Sequence, residues 1–243
     1  MSAALRRRLA RLRESDDGVT LVELLVVVGL LAIVLAVAQE SLILTNRLVG
    51  DTAVRNDESQ QAKTAVEGIS QTMRTAILPK LLNGTCTGCD VAAFISGNAK
   101  SVSFYANINN DLVLPTSGTT TFGPRRVTYT LGADGTLTET LQTPNVHSVS
   151  DFNFAYCTPG PSCPVRTRIL ARDVVTTQAL FTYYDKAGVQ LPEPLEGSTT
   201  NLQSVDSIDI LLTVKPRGRV EGTTITTRVM LPNADAAPTP SAS

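Results

Sequence analysis

The 243-residue chain has no Trp and a single His, His147. One imidazole cannot build a multi-His metal centre, so a metal would need Cys or carboxylate ligands. His147 has neither a nearby Cys nucleophile nor a Ser motif beside it, and it reads as a loop residue. No GxxxxGK[ST], HExxH or GxSxG pattern occurs, so the sequence offers no phosphate cradle, zincin helix or nucleophile elbow, and the expectation is a protein that is not an enzyme, with no cofactor and no metal. Large net charge is also missing. At −1, with 42% hydrophobic residues, the chain is neither wholly disordered nor a general polybasic nucleic-acid binder. Proline does not occur before Pro79, so nothing in that stretch forbids a long helix.

The near-neutral average hides an asymmetry. Residues 1–18 carry Arg6, Arg7, Arg8, Arg11 and Arg13 against Glu14, Asp16 and Asp17, a net of +2, while the remaining 225 residues sum to −3. Val19 to Ala38 then reads VTLVELLVVVGLLAIVLAVA, 20 residues interrupted only by Thr20, Glu23 and Gly29. About 20 helical residues cross a bilayer core, and basic residues ahead of the run keep the N-terminus cytoplasmic and send the rest across. A buried core helix, a removable secretory signal ending near Ala36, Ala38 and Ser41, and a plain signal anchor are the competing readings. None of them accounts for Glu23. A carboxylate in hydrocarbon costs about 2.5–3.5 kcal/mol on insertion scales, unless it is protonated or reaches the interface. No Lys or Arg lies between Arg13 and Arg47 to pair with it.

Gly18-Val19-Thr20-Leu21-Val22-Glu23, with the apolar run behind it, resembles the prepilin cleavage and methylation motif of type IV pilins and type II secretion pseudopilins. The resemblance implies that a membrane prepilin peptidase cuts between Gly18 and Val19 and methylates the new amine. Members usually begin the mature chain with Phe or Met, where this chain has Val19. The freed Val19 amine would then be the cation for Glu23 of a neighbouring subunit, a pair that sets register at docking.

Beyond Ala38, Val49, Ala53, Ala62, Ala65, Val66, Ile69, Met73 and Ile77 recur at spacings near three and four, which predicts an amphipathic helix continuing to about residue 78, before Pro79. After Pro79 the period becomes two. Ser101–Tyr105, the run Val127–Tyr129–Leu131, Thr136–Leu141, the run Ala179–Phe181–Tyr183, Ile208–Val214 and Ile225–Leu231 read as strands with one solvated face. Gly132–Gly135 and Asp185–Gly188 read as turns. The expected class is α+β: a long N-terminal transmembrane and amphipathic helix packed on an antiparallel β-sheet body, pilin-like by the resemblance. The stretches VTYTLGADGTL, ILARDV, FTYYDKAG, VDSIDILLTV and TTITTRVMLPN are similar in order to those of minor pseudopilin J and PilW-like minor pilins.

Four Cys in an exported body imply disulfides. Three pairings are open, and the short loops favour Cys86 with Cys89 and Cys157 with Cys163. A four-thiolate zinc site and a redox-active C-T-G-C are the alternatives. Arg125-Arg126, Arg166/Arg168/Arg172 and Arg217/Arg219 read as solvated strand edges, or as a basic strip for DNA. The expected organisation is a cytoplasmic leader 1–18, a membrane and polymerisation helix 19–45, an exported domain 46–232 and a disordered tail 233–243.

The expected partners are prepilin peptidase, other pilins or pseudopilins of one filament and the inner membrane. Periplasmic or cell-surface display, and service in a type IV pilus, type II secretion system or natural-transformation machine, complete the reading. A DNA-binding tip subunit and an exported thiol oxidoreductase are its rivals.

Overall fold

The structure, a computed structural model, describes residues 20–82, 92–108, 118–148, 154–158, 160, 162–163, 165–216 and 221–234. In chain order the elements are helix α1 (Leu21–Met73), helix α2 (Pro79–Leu82), strands β1 (Phe94–Asn98), β2 (Ser101–Ala106), β3 (Thr119–Thr120), β4 (Arg125–Leu131), β5 (Leu137–Gln142), β6 (His147–Ser148), β7 (Val165–Ala171) and β8 (Phe181–Tyr184), a 3-10 turn at Leu195–Gly197, helix α3 (Thr199–Ser204), and strands β9 (Ser207–Val214) and β10 (Thr223–Met230). The described strands pair antiparallel throughout, in a five-stranded sheet β1-β2-β4-β5-β7, a three-stranded sheet β10-β9-β8 and the short pair β3-β6. The architecture is α+β.

Two compact units divide at Val54 and Arg55. In the first unit the helix is apolar on nearly every side from Leu21 to Ala38, and its described residues are exposed. Thr45 and Thr52 do not interrupt it. Their hydroxyls donate back to the carbonyls of Ser41 and Leu48, both at 2.8 Å, which hides the polar hydrogen against the helix.

In the second unit, Ala62, Ala65, Val66, Ile69 and Met73 fall on one stripe of α1, and all are buried. They join Phe104, Val127, Tyr129, Leu137, Phe181, Ile208 and Ile210 in one core. Burying a side chain the size of Ile69 contributes about 1.5–3 kcal/mol. The helix ends at Met73, five residues before the expected 78. The chain does not wait for Pro79, because Ala76 bridges Ala106 of β2, Ile77 N–H donates to Tyr105 O at 2.9 Å and Asn107 N–H donates to Thr75 O at 2.8 Å. Strand-like pairing takes over the backbone groups that another helical turn would need.

The five-stranded sheet has two distinct faces. Val102, Phe104, Val127, Tyr129 and Leu137 carry the apolar side, with Phe94, Phe104 and Tyr129 in ring contact at 5.8 and 6.1 Å. On the other face hydroxyls meet in cross-strand pairs: Ser103 with Thr128 at 3.0 Å, Ser101 with Thr130 and Thr140 with Thr167 at 3.4 Å. The two larger sheets meet at the β1–β2 hairpin, where the Tyr183 hydroxyl donates to the carbonyls of Asn98 and Ser101. Gly97 permits this approach, since a Cβ there would lie 2.8 Å from Leu195 and Tyr183. Gly135 holds the β4–β5 turn at φ +79°, with a Cβ position 2.9 Å from the Val174 carbonyl.

Two further expectations change. His147 is not in a loop but in the two-residue strand β6, edge-on to Phe154 at 5.8 Å. The C-terminal segment packs for two residues longer than expected: Ala234 is buried, and Asn233 O accepts from Leu78 N–H at 3.3 Å. Residues 235–243 lie outside the described part.

Candidate functional site

Gly18 and Val19 lie outside the described residues, and the site begins at Thr20. Thr20 is the residue before α1. Its Oγ1 accepts the Glu23 N–H at 3.3 Å and its carbonyl accepts the Leu24 N–H at 3.1 Å. That is N-cap geometry, and Thr20-x-x-Glu23 has the spacing of a capping box, in which a Glu at the third helical position belongs near the positive end of the helix. The S/T-x-x-E spacing of Thr20 and Glu23 stands in the sequence as a further signal of this helix start. Local chemistry therefore gives Glu23 a place in the first turn independent of any partner.

Behind the cap, α1 is long and apolar enough to cross a membrane, with an 18-residue window of mean hydropathy 3.0 and none of that window buried. Leu21 is 78% exposed, and Val22, Leu24, Leu25, Leu30, Ile33 and Val37 are also exposed. An apolar surface on this scale fits a lipid environment or other helices. The hydrophobic helix fits membrane anchoring.

The Cys157–Cys163 disulfide closes the loop before β7. Gln142, buried at the end of β5, donates from Nε2 to Cys157 O and approaches both sulfurs at 3.3 and 3.1 Å. Tyr156 in the same loop stacks near Tyr105 at 5.7 Å and gives its hydroxyl to Pro124 O. The bridge thus staples a loop onto the sheet. Cys86 and Cys89 lie outside the described residues, and among the described residues no Cys is free and no cluster of metal-ligating side chains forms.

Among the described residues, the arginines meet different partners. Arg125 donates to the Thr143 hydroxyl, and Arg126 sits over the Tyr156 ring at 4.9 Å. Arg168 grips Glu139 with Nε at 3.1 Å and its terminal nitrogen at 2.6 Å, a contact that raises the Arg168 pKa. Arg172 exchanges two backbone hydrogen bonds with Gln61 of α1. Arg217 and Arg219 lie outside the described residues. Arg166 and Arg168 are on β7, an edge of the five-stranded sheet, where charge discourages edge-to-edge pairing.

The N-terminal segment is also where a known family matches. Residues 15–38 fit the family described as the prokaryotic N-terminal methylation motif, a span that contains Gly18, Val19, Thr20 and Glu23. The chain carries that motif, and the match supports a type IV pilin-like family. No curated protein matches the chain significantly. No solved structure matches it significantly either.

Proposed function

We propose that this chain is a minor pilin or pseudopilin, a structural and assembly subunit rather than an enzyme. Prepilin peptidase cuts it after Gly18 and methylates the Val19 amine. It anchors in the inner membrane by α1 with its N-terminus cytoplasmic, and joins other pilins or pseudopilins in a type IV pilus, competence pseudopilus or type II secretion pseudopilus. The observation that carries the reading is the methylation motif at residues 15–38 leading directly into an exposed, membrane-length apolar helix. Glu23 would meet the methylated amine of the next subunit. Leaving either charge alone in hydrocarbon is heavily penalised, so the pair fixes register more than it adds net stability.

Mass spectrometry of protein purified from membranes tests the reading. The expected mature chain starts at Val19 and bears an N-methyl group. A chain starting at Met1, or one cut after Ala38, overturns it.

A further inference from the structure

A small cleft opens where the second half of α1 passes the edge of the five-stranded sheet. Its volume is about 190 Å³, and it is lined by Thr72, Ile108, Glu139, Leu141, Arg166 and Arg168. That is comparable with the ~150 Å³ of an apolar cavity that takes up benzene.

The charges in it are unequal. Glu139 is buried, and its Oε2 already receives two hydrogen bonds from Arg168 and one from the Tyr129 hydroxyl at 3.3 Å. Burial pushes the Tyr129 pKa well above the ordinary phenol value, so that hydroxyl remains a donor. Arg166 lies across from Leu141 in the β5–β7 register and is exposed, with no ion-pair partner among the described residues. Among the described residues, the cleft therefore holds one neutralised pair and one guanidinium without an ion-pair partner, and the other described lining is a hydroxyl, Thr72, and two apolar side chains, Ile108 and Leu141.

We infer that this cleft binds a carboxylate on a short apolar stem, the charge held by Arg166 and the stem lying against Ile108 and Leu141. A guanidinium presents paired N–H donors matched to a carboxylate. A cation is repelled by the net positive charge, and a wholly apolar guest leaves the guanidinium without a partner. The same chemistry is offered by a free short-chain acid and by a Glu side chain of a polypeptide.

The test uses the full chain in detergent micelles, titrated by calorimetry and by NMR with butyrate and, separately, with a Gly-Glu-Gly peptide with blocked termini. Binding of at least one probe is expected, with shifted resonances at Thr72, Ile108 and Leu141. Butyrate alone identifies a free acid as the source, and the peptide alone identifies a polypeptide side chain. Arg166→Gln should weaken binding about tenfold or more, as expected for the loss of a charge-assisted hydrogen-bonded pair, without changing the melting temperature. Leu141→Phe, which fills the cleft and leaves its charges alone, should also abolish binding. Arg166→Lys should retain part of it. No binding of either probe, or binding unchanged by both Arg166→Gln and Leu141→Phe, overturns the inference.

Discussion

The two halves of α1 share one backbone and one helical period, yet their apolar side chains meet opposite surroundings. From Leu21 to Val54 they are exposed, Val26 at 54% and Leu48 at 59%. From Arg55 to Met73 they are buried, with Ala62, Ile69 and Met73 at 0%. The earlier half is far richer in large hydrophobic residues, so burial within the chain does not follow hydrophobicity. It follows arrangement. In the later half the apolar residues form one stripe and the charged residues Lys63 and Glu67 lie off it, exposed. A helix that is apolar all round needs apolar surroundings on all sides, which one sheet face cannot supply.

The largest test of this contrast is Ile69→Asp. It removes a fully buried side chain and leaves a carboxylate in the core, which should destabilise the second unit by about 3–5 kcal/mol. Chemical denaturation followed by circular dichroism reads it. The corresponding change in the first half, Leu25→Asp, should leave that denaturation midpoint where it was and weaken membrane insertion instead. If Leu25→Asp lowers the midpoint equally, the two halves are not different in kind.

Glu23→Ala comes next. It should ease insertion by up to about 3 kcal/mol, since a carboxylate leaves the apolar segment. Under the proposed function it should also stop or slow copurification with other filament subunits while Gly18 cleavage continues. Glu23→Gln should be intermediate. Normal incorporation of Glu23→Ala at normal membrane levels would leave Glu23 with its place in the first turn and no docking role.

Thr20→Val should cost the helix about 1 kcal/mol, the usual worth of an N-cap. The effect should be seen as fraying of the first turn by hydrogen exchange and should not reach Ile69. Equal protection of the first turn in both proteins would remove Thr20 from the account.

The smallest effect is a pH dependence confined to the second unit. Asp209 is held below its ordinary carboxylate value by Arg228, whose Nε is 2.6 Å away. A folded pKa below the unfolded one means the pair contributes fully at neutral pH and is lost as acid takes the pH down through the folded value. The pair is solvent-exposed in large part, so its contribution is modest. Asp209→Asn should lower the midpoint slightly at pH 7 and make no difference once the wild-type carboxylate is protonated. A gap between the two proteins that persists in strong acid would show that the charge is not its origin.

Much of the body was legible from the sequence because its strands alternate cleanly. Ser207–Val214 buries Ile208, Ile210, Leu212 and Val214 in succession, and the period of two is visible directly in the residues. β1 is not legible in the sequence, because Gly97 and Asn98 look like a turn. Gly97 is there for the close approach of Tyr183, a contact made from some 86 residues away. β7 shows only as the solvated strand edge read at Arg166 and Arg168; VRTRILA has no apolar face from which its bounds could be taken. The pairing of Arg168 with Glu139 depends on the β5–β7 register, which single-strand periodicity cannot give. The capping role of Thr20 is local: its hydroxyl satisfies the Glu23 N–H, a backbone need that neither hydropathy nor charge displays.

The junction at Ala76 gives the protein a defined path for mechanical load. Where α1 ends, the chain is joined to β2 by two main-chain hydrogen bonds flanking the Ala76–Ala106 bridge. Tension carried along the helix therefore enters the sheet through backbone and spreads laterally to β4 and β5, instead of being borne by side-chain packing at Ile69 and Met73 alone. Resistance to pulling is governed by the rate of unfolding rather than by equilibrium stability. A chain pulled through α1 would thus hold at this short seam even when its packing free energy is ordinary.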